Sequence, residues 1–132
     1  MDDCIFCKIA NEKIPSMKVY EDDKILAYLD INPDSDGHTL IIPKEHYQDI
    51  FDIPSDLLLY IYDTSKIIMN HLKEKLNCDG FILQQNNGNI QEVKHYHLHI
   101  KPTYKNKESI KFTKNKEYIN DVEEVYNKIK VD

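Results

Sequence analysis

His95, His97 and His99 alternate with Tyr96, Leu98 and Ile100 in the stretch HYHLHIKP, 95–102, and are three of the chain's six histidines. On a β-strand, residues two apart point to the same face, so this spacing predicts one imidazole face and one apolar face. Two residues of strand advance about 6.7 Å, which sets His95 and His99 about 13 Å apart at the backbone. Three rings so spaced cannot converge on one ion without a sharp bend. A division of labour follows, with two histidines on a substrate and the third partly elsewhere. Neutral imidazole is a good nucleophile and proton carrier near pH 7. The chemistry this suggests is attack on phosphorus, giving a phospho-histidine that water cleaves, with an adjacent histidine protonating the leaving group.

Cys4 and Cys7 form the second constellation, a C-x-x-C near the start of the chain, while Cys78 stands alone. The pair reads as metal-binding, redox-active or coincidental. In a reducing compartment a disulfide framework is not expected. Cys78 is expected to be structural and His71 a surface residue.

Charge and composition narrow the function classes. The net charge of −6 argues against broad nucleic-acid binding through the phosphate backbone. All 17 basic residues are lysines, nine of them between positions 94 and 130. Without arginine no bidentate guanidinium clamp is available, so a phosphate must be held by imidazoles, backbone N–H groups, amides or lysines. No apolar run approaches the roughly 20 residues of a membrane span. The opening MDDCIFCKIANEK does not resemble a secretory signal, and a cytoplasmic protein is expected.

The elements that must position these residues can be read from the pattern. The 132 residues suit a single domain. CKIANEKI predicts a short helix before Pro15. MKVYED and KILAYLD predict two strands joined at Asp22-Asp23, and HTLIIP predicts a buried strand. INPDSDG is loop chemistry. Residues 53–77 predict one long helix, with Ser55 as its cap, Asp56 at its positive end and Asn77 at its close. Leu57, Ile61, Ile68, Leu72 and Leu76 mark its inner face, interrupted by Ser65. GFILQQ is the next strand, NNGN a turn, and KHYHLHIKP the last strand, closed by Pro102. Tyr118, Val122, Val125 and Ile129 repeat at helical spacing near the C-terminus. The order predicts an α+β domain: an antiparallel sheet of about five strands, one long helix and one or two shorter ones.

HYHLHI resembles the His-x-His-x-His signature of the histidine triad (HIT) family, in which x is hydrophobic. The likeness extends to CIFCKIANEKIP, VYEDDKILAYLDINPDSDGHTLIIPKEHY and QQNNGNIQEVKHYHLHIKP, covering about residues 4–103, in the branch of bacterial HIT proteins and Hint nucleoside phosphoramidases. Residues 104–132 carry no assignable motif.

The resemblance implies that His97 is the nucleophile toward the α-phosphate of a purine nucleotide such as an AMP or GMP derivative. It implies that His99 contacts the phosphate or leaving group, that His95 supports the nucleophile or a metal, and that His38 is the family's fourth histidine. Asp30 and Ile31 match ribose- and base-contacting positions, and Phe6 and Ile9 the base pocket. Asn86 matches an asparagine near the phosphate. Gln91, Glu92 and Val93 match the loop into the triad, with the Val93 N–H as a phosphate donor. It further implies a structural Cys₂His₂ zinc site of Cys4, Cys7, His46 and His95, and a homodimer. For the hydrophobic positions a plain core role, and for Asp30 and Asn86 a turn role, stands beside each reading.

The chain also departs from the family. Its NNGNIQEV loop is about two residues shorter, with Ile90 where a glycine is usual. It reads HIKPT where HIIPR is frequent, and its tail has no Trp. Alternatives to the phosphoramidase reading are a dinucleoside polyphosphate hydrolase, a zinc-stabilised nucleotide-binding module, and a metallohydrolase with its metal on His95 and His97.

Overall fold

A computed structural model describes residues 3–132. Five strands, β1 (Lys18–Glu21), β2 (Ile25–Leu29), β3 (Thr39–Pro43), β4 (Gly80–Gln84) and β5 (Leu98–Thr103), form one antiparallel sheet in the order β1-β2-β3-β5-β4. The helices are α1 (Ile5–Ala10), α2 (Ser55–Leu76) and α3 (Val122–Ile129), with single 3₁₀ turns at Gly88–Ile90 and Lys116–Tyr118. None of the helices is long and apolar enough to cross a membrane, among the described residues.

Alternation along the central strands sorts the side chains to two faces. Ile25, Ala27, Ile41, Leu98 and Ile100 pack with Ile61, Ile68 and Leu72 of α2. Leu26, Tyr28, Leu40 and Ile42 pack with Phe6, Ile9 and Ala10 of α1. The sheet is therefore covered by the long helix on one side and by the short helix on the other. The smaller cover leaves part of its face open, and the even-numbered and odd-numbered registers decide which side chains look into that opening.

In α2 the interruption at Ser65 falls on the buried face, where its hydroxyl donates to the Tyr62 carbonyl at 2.6 Å. Thr64 does the same to Tyr60 at 2.8 Å, so both hydroxyls enter the core satisfied. Asn77 closes the helix in the left-handed conformation, φ 54°. Ser55 is not the cap. It is the first helical residue, Pro54 takes the cap position in extended conformation, and no side chain caps the end. A proline immediately before the first turn already fixes the entry of the chain.

Two boundaries differ from the sequence expectation for physical reasons. α1 starts two residues earlier than CKIANEKI, because Cys4 acts as its N-cap and its Sγ accepts from the Cys7 N–H. β5 begins at Leu98, not at the first histidine. Its register against β3, Ile41 opposite Leu98, would set Pro43 opposite Tyr96 if carried on. Pro43 has no N–H to give, and the Tyr96 N–H donates instead to the Tyr47 carbonyl at 2.6 Å. At the other end β5 runs past Pro102 to Thr103, since β3 pairs with it only as far as Ile100 and β4 needs no donor from Pro102 to hold the register.

The β1–β2 turn is tied to α2 by Asp22, which accepts from the N–H groups of Lys24 and Ile25 and from the hydroxyls of Tyr20 and Tyr60. Burial pushes its carboxyl up, but these hydrogen bonds outweigh that and hold it at about 2. A carboxylate with a depressed folded pKa stabilises the fold above its unfolded value of about 4 and loses that contribution as pH falls toward 2. Asp22→Ala should therefore lower stability at pH 7 by about 1–2 kcal/mol, kept modest by solvent at this half-buried group. Urea midpoints measured from pH 7 to pH 2 should converge for the two proteins at the acid end.

Candidate functional site

The row of histidines lies on the α1 side of the sheet, opposite Tyr96, Leu98 and Ile100, as the alternation requires. A cavity of about 610 Å³ opens there between α1, β2, the 30–38 loop, the 84–93 segment and β5. It is lined by His97, His99 and His38, by the predicted Phe6, Ile9, Asp30 and Ile31, and by Asn86, Glu92 and Val93. Gln91 is not on its wall. It is buried, and its side chain donates to the Gln48 carbonyl at 2.5 Å, anchoring the loop that carries Glu92 and Val93.

His97 is 5% exposed, its ring edge-on to Phe6 at 4.9 Å and to His99 at 4.9 Å. It is enclosed by the cavity it helps to line. Its Nδ1 lies 2.8 Å from the His95 carbonyl. A carbonyl only accepts, so Nδ1 carries the proton and Nε2 keeps a free lone pair. Burial pushes the imidazole below its ordinary value, which keeps it neutral at pH 7.

A second chain of hydrogen bonds fixes the neighbouring rings. The main-chain N–H of Asp34 donates to His38 Nδ1 at 3.0 Å. His38 then holds its proton on Nε2, which lies 2.9 Å from His99 Nδ1. His99 Nδ1 accepts, so its own proton sits on Nε2. Burial pushes both rings down, His99 to about 3 with help from His97, His38 and Lys101. His38 also lies 3.7 Å from the Asp30 carboxylate. Asp30, His38 and His99 place ligand-type atoms within 4.8 Å of one another, and the His38–His99 hydrogen bond accounts for the closeness of the two rings.

His95 faces away from this cavity. Its Nε2 donates at 2.9 Å to the carbonyl of Pro43, the residue whose missing N–H ends the β3–β5 ladder. That leaves Nδ1 bare, 3.4 Å from Cys4 Sγ and 3.5 Å from Cys7 Sγ. His46 Nδ1 is 3.3 Å from Cys7 Sγ. The four ligand atoms lie within 4.8 Å of one another. Around a tetrahedral zinc with Zn–S of about 2.3 Å and Zn–N of about 2.0 Å, sulfur and nitrogen stand about 3.5 Å apart. The observed separations, the fixed tautomer of His95 and the buried, sulfur-rich donor set all fit such an ion. Burial and the adjacent Cys4 push the Cys7 thiol up, a cost that a divalent cation reverses.

The structure also brings in residues that sequence reading passed over. Lys101, Asp34 and Gln84 line the cavity beside His99. The signal for Lys101 was in the spacing, since it continues the row 95-97-99 by one more step of two.

An antiparallel α+β domain that carries three tautomer-fixed imidazoles into one cavity, beside a separate Cys₂His₂ cluster, defines a histidine-centred ligand-binding class. Comparison with known proteins agrees. The HIT domain family model matches residues 11–106. The chain belongs to the HIT family. It is 45% identical over 130 residues to an uncharacterized HIT-like protein of Methanocaldococcus jannaschii, covering 96% of this chain and 98% of that one. It is 43% identical over 101 residues to an adenosine 5′-monophosphoramidase of Saccharomyces cerevisiae, covering 75% of this chain and 61% of that one. Among solved structures, a HIT family protein from Bacillus anthracis superposes with TM-score 0.82 at 40% identity, covering 96% of this chain and 92% of that one. A Zn-bound histidine triad family protein from Mycobacterium smegmatis superposes with TM-score 0.76 at 36% identity, covering 79% and 77%.

Proposed function

We propose that this protein is a nucleotide hydrolase that cleaves at the α-phosphorus of a purine nucleotide through a nucleotidyl-His97 intermediate, with phosphoramidates of AMP or GMP as its substrate type. The observation that carries this reading is the His97 tautomer: Nδ1 is committed to the His95 carbonyl, and the lone pair of Nε2 is left on a ring that lines the cavity. The yeast relative's activity supports the same class.

In the reaction, the His97 Nε2 lone pair forms a bond to the α-phosphorus while the bond from phosphorus to the leaving nitrogen breaks. The electron pair goes to that nitrogen, and the proton that an amine needs to depart is relayed from solvent through the hydrogen-bonded His38–His99 pair and leaves from His99 Nε2, so neither neutral ring ends as an anion. Water then attacks the same phosphorus. The N–P pair returns to His97, and the water's proton goes back to solvent by the same relay. His38 and the Asp34 N–H keep the His99 donor aimed through both steps. Phe6, Ile9 and Ile31 supply apolar surface for a base, Asp30 an acceptor for ribose hydroxyls, and Asn86 with the Val93 main chain polar contacts for the phosphate.

Cys4, Cys7, His46 and His95 would hold zinc, which with four protein ligands and no open position stabilises the fold and does no chemistry on substrate. His95 serves catalysis through its carbonyl, because both ring nitrogens are engaged elsewhere. The protein acts as a homodimer in the cytoplasm. The exposed apolar residues Val122, Tyr126 and Ile129 of α3 support pairing.

Incubation with adenosine 5′-phosphoramidate, quenching in base and peptide mapping should find adenylate on His97, with ammonia and AMP released in equal amounts. Adenylate on no histidine, with substrate unconsumed, overturns the reading.

A further inference from the structure

Lysine is almost never buried without a partner, and Lys101 is 7% exposed. Its ammonium is held by the Asp34 carboxylate at 2.8 Å and by Gln84 Oε1 at 2.6 Å. An ammonium has three N–H donors, and these two acceptors use two of them. Lys101 is the only lysine among the described residues that line the cavity, which also presents the carboxylates of Asp30, Asp34 and Glu92. A polyanionic ligand entering a wall so rich in carboxylates needs a counter-charge, and the chain has no arginine to provide it.

The position of that charge is what matters. Lys101 follows His99 on the same face of β5, on the far side of His99 from His97. His97 meets the α-phosphorus and His99 meets the leaving atom, so Lys101 stands where the rest of the leaving group goes. We propose that Lys101 is the specificity-determining residue on the leaving-group side, extending the enzyme's range from phosphoramidates to nucleotides that expel an oxyanion (a phosphate, sulfate or carboxylate joined to the α-phosphorus) by raising their turnover relative to that of amine-expelling ones. This rests on the reading of the site given above.

The bond changes explain the selectivity. As the His97 Nε2–phosphorus bond forms, the bond from phosphorus to the leaving atom breaks and its electron pair stays with the leaving group. An amine must take a proton from His99 Nε2 to depart. An oxyanion departs with the pair and needs no proton, but its negative charge grows as it leaves. The third N–H of Lys101 answers that charge, and a donor already held by two partners does so with little reorganisation. Asp34 restrains the lysine. Its carboxylate is half exposed and is held below the usual range by the Lys101 ammonium, so it competes with an arriving anion for the same nitrogen.

The two partners therefore predict opposite shifts. With the full chain, kcat/KM is measured for diadenosine tetraphosphate and for adenosine 5′-phosphoramidate. In K101M the ratio of the first to the second should fall tenfold or more, and in D34N it should rise. Thermal unfolding of both variants reports whether they are folded. A ratio unchanged within twofold in folded K101M, or a fall of the ratio in D34N, overturns the proposal. Binding of α,β-methylene ADP and of AMP by calorimetry gives a second measurement that needs no turnover. The wild type should prefer the diphosphate, and K101M should lose that preference at least fivefold. Equal preference in the two proteins overturns the Lys101 assignment. Wild-type inactivity on both substrates removes the hydrolase reading, while the calorimetric ratio still decides the role of Lys101.

Discussion

His97→Ala should lower kcat by about 10⁴-fold or more on adenosine 5′-phosphoramidate, because it removes the atom that bonds to phosphorus and leaves only positioning. The affinity for AMP should change by no more than about threefold. Phe6, Ile9, Asp30 and Asn86 stay in place, and the lost ring contributes one edge-on contact to Phe6. Single-turnover kinetics with calorimetry on the same preparation separates the two quantities. Turnover within tenfold of the wild type would sink the nucleophile assignment and favour a metal-activated water. A large loss of affinity with turnover preserved would favour a positioning role for the ring.

The second large effect concerns the cysteine–histidine cluster. Removing the metal with a chelator, or replacing Cys7 by Ser, should lower the unfolding temperature by about 14 °C. This follows from a ligand present at about 1,000 times its Kd, which stabilises the fold by about 4 kcal/mol, and from the unfolding entropy of a chain this size. The cost is held to that scale because the rest of the sheet has its own core under α2, unlike a zinc finger that is unfolded without its ion. Metal affinity should rise with pH, since both thiols must lose protons and burial already pushes Cys7 up. Scanning calorimetry with and without added zinc checks the first point, and competition titration between pH 6 and pH 8 checks the second. Unfolding temperatures that match within 2 °C would remove zinc from the account.

Much of the fold was legible because the hydrophobic pattern has a single solution. ILAYL and TLIIP are too short and too apolar to be anything but strands covered on both sides, and they are β2 and β3. The long helix announced itself by spacing, with its polar interruption at Ser65 satisfied by the main chain. The misjudged boundaries at Ser55 and His95 each depend on a proline acting across space or sequence, at Pro54 and Pro43, which periodicity does not report. In the site, the alternation of the triad fixed which rings share a face. It could not say that His95 would spend both ring nitrogens on Pro43 and the cysteines. Lys101 was overlooked because a lysine after HLHI reads as a surface residue, and only the tertiary placement of Asp34 and Gln84 explains how it can be buried. The apolar repeat of α3 was visible too, yet every residue of the helix is exposed in a single chain.

α1 is six residues long and serves two neighbours at once. Cys4 caps it and Cys7 lies inside it, while Phe6 and Ile9, on the same turn and a half, form a wall of the cavity. Two ligands that each favour one placement of the same short helix are energetically coupled, and such coupling is symmetrical. Under the proposed function, whatever factor an ion at the cysteines adds to the grip on a purine nucleotide, the bound nucleotide must return to the ion. Scarcity of either one then weakens the hold on the other.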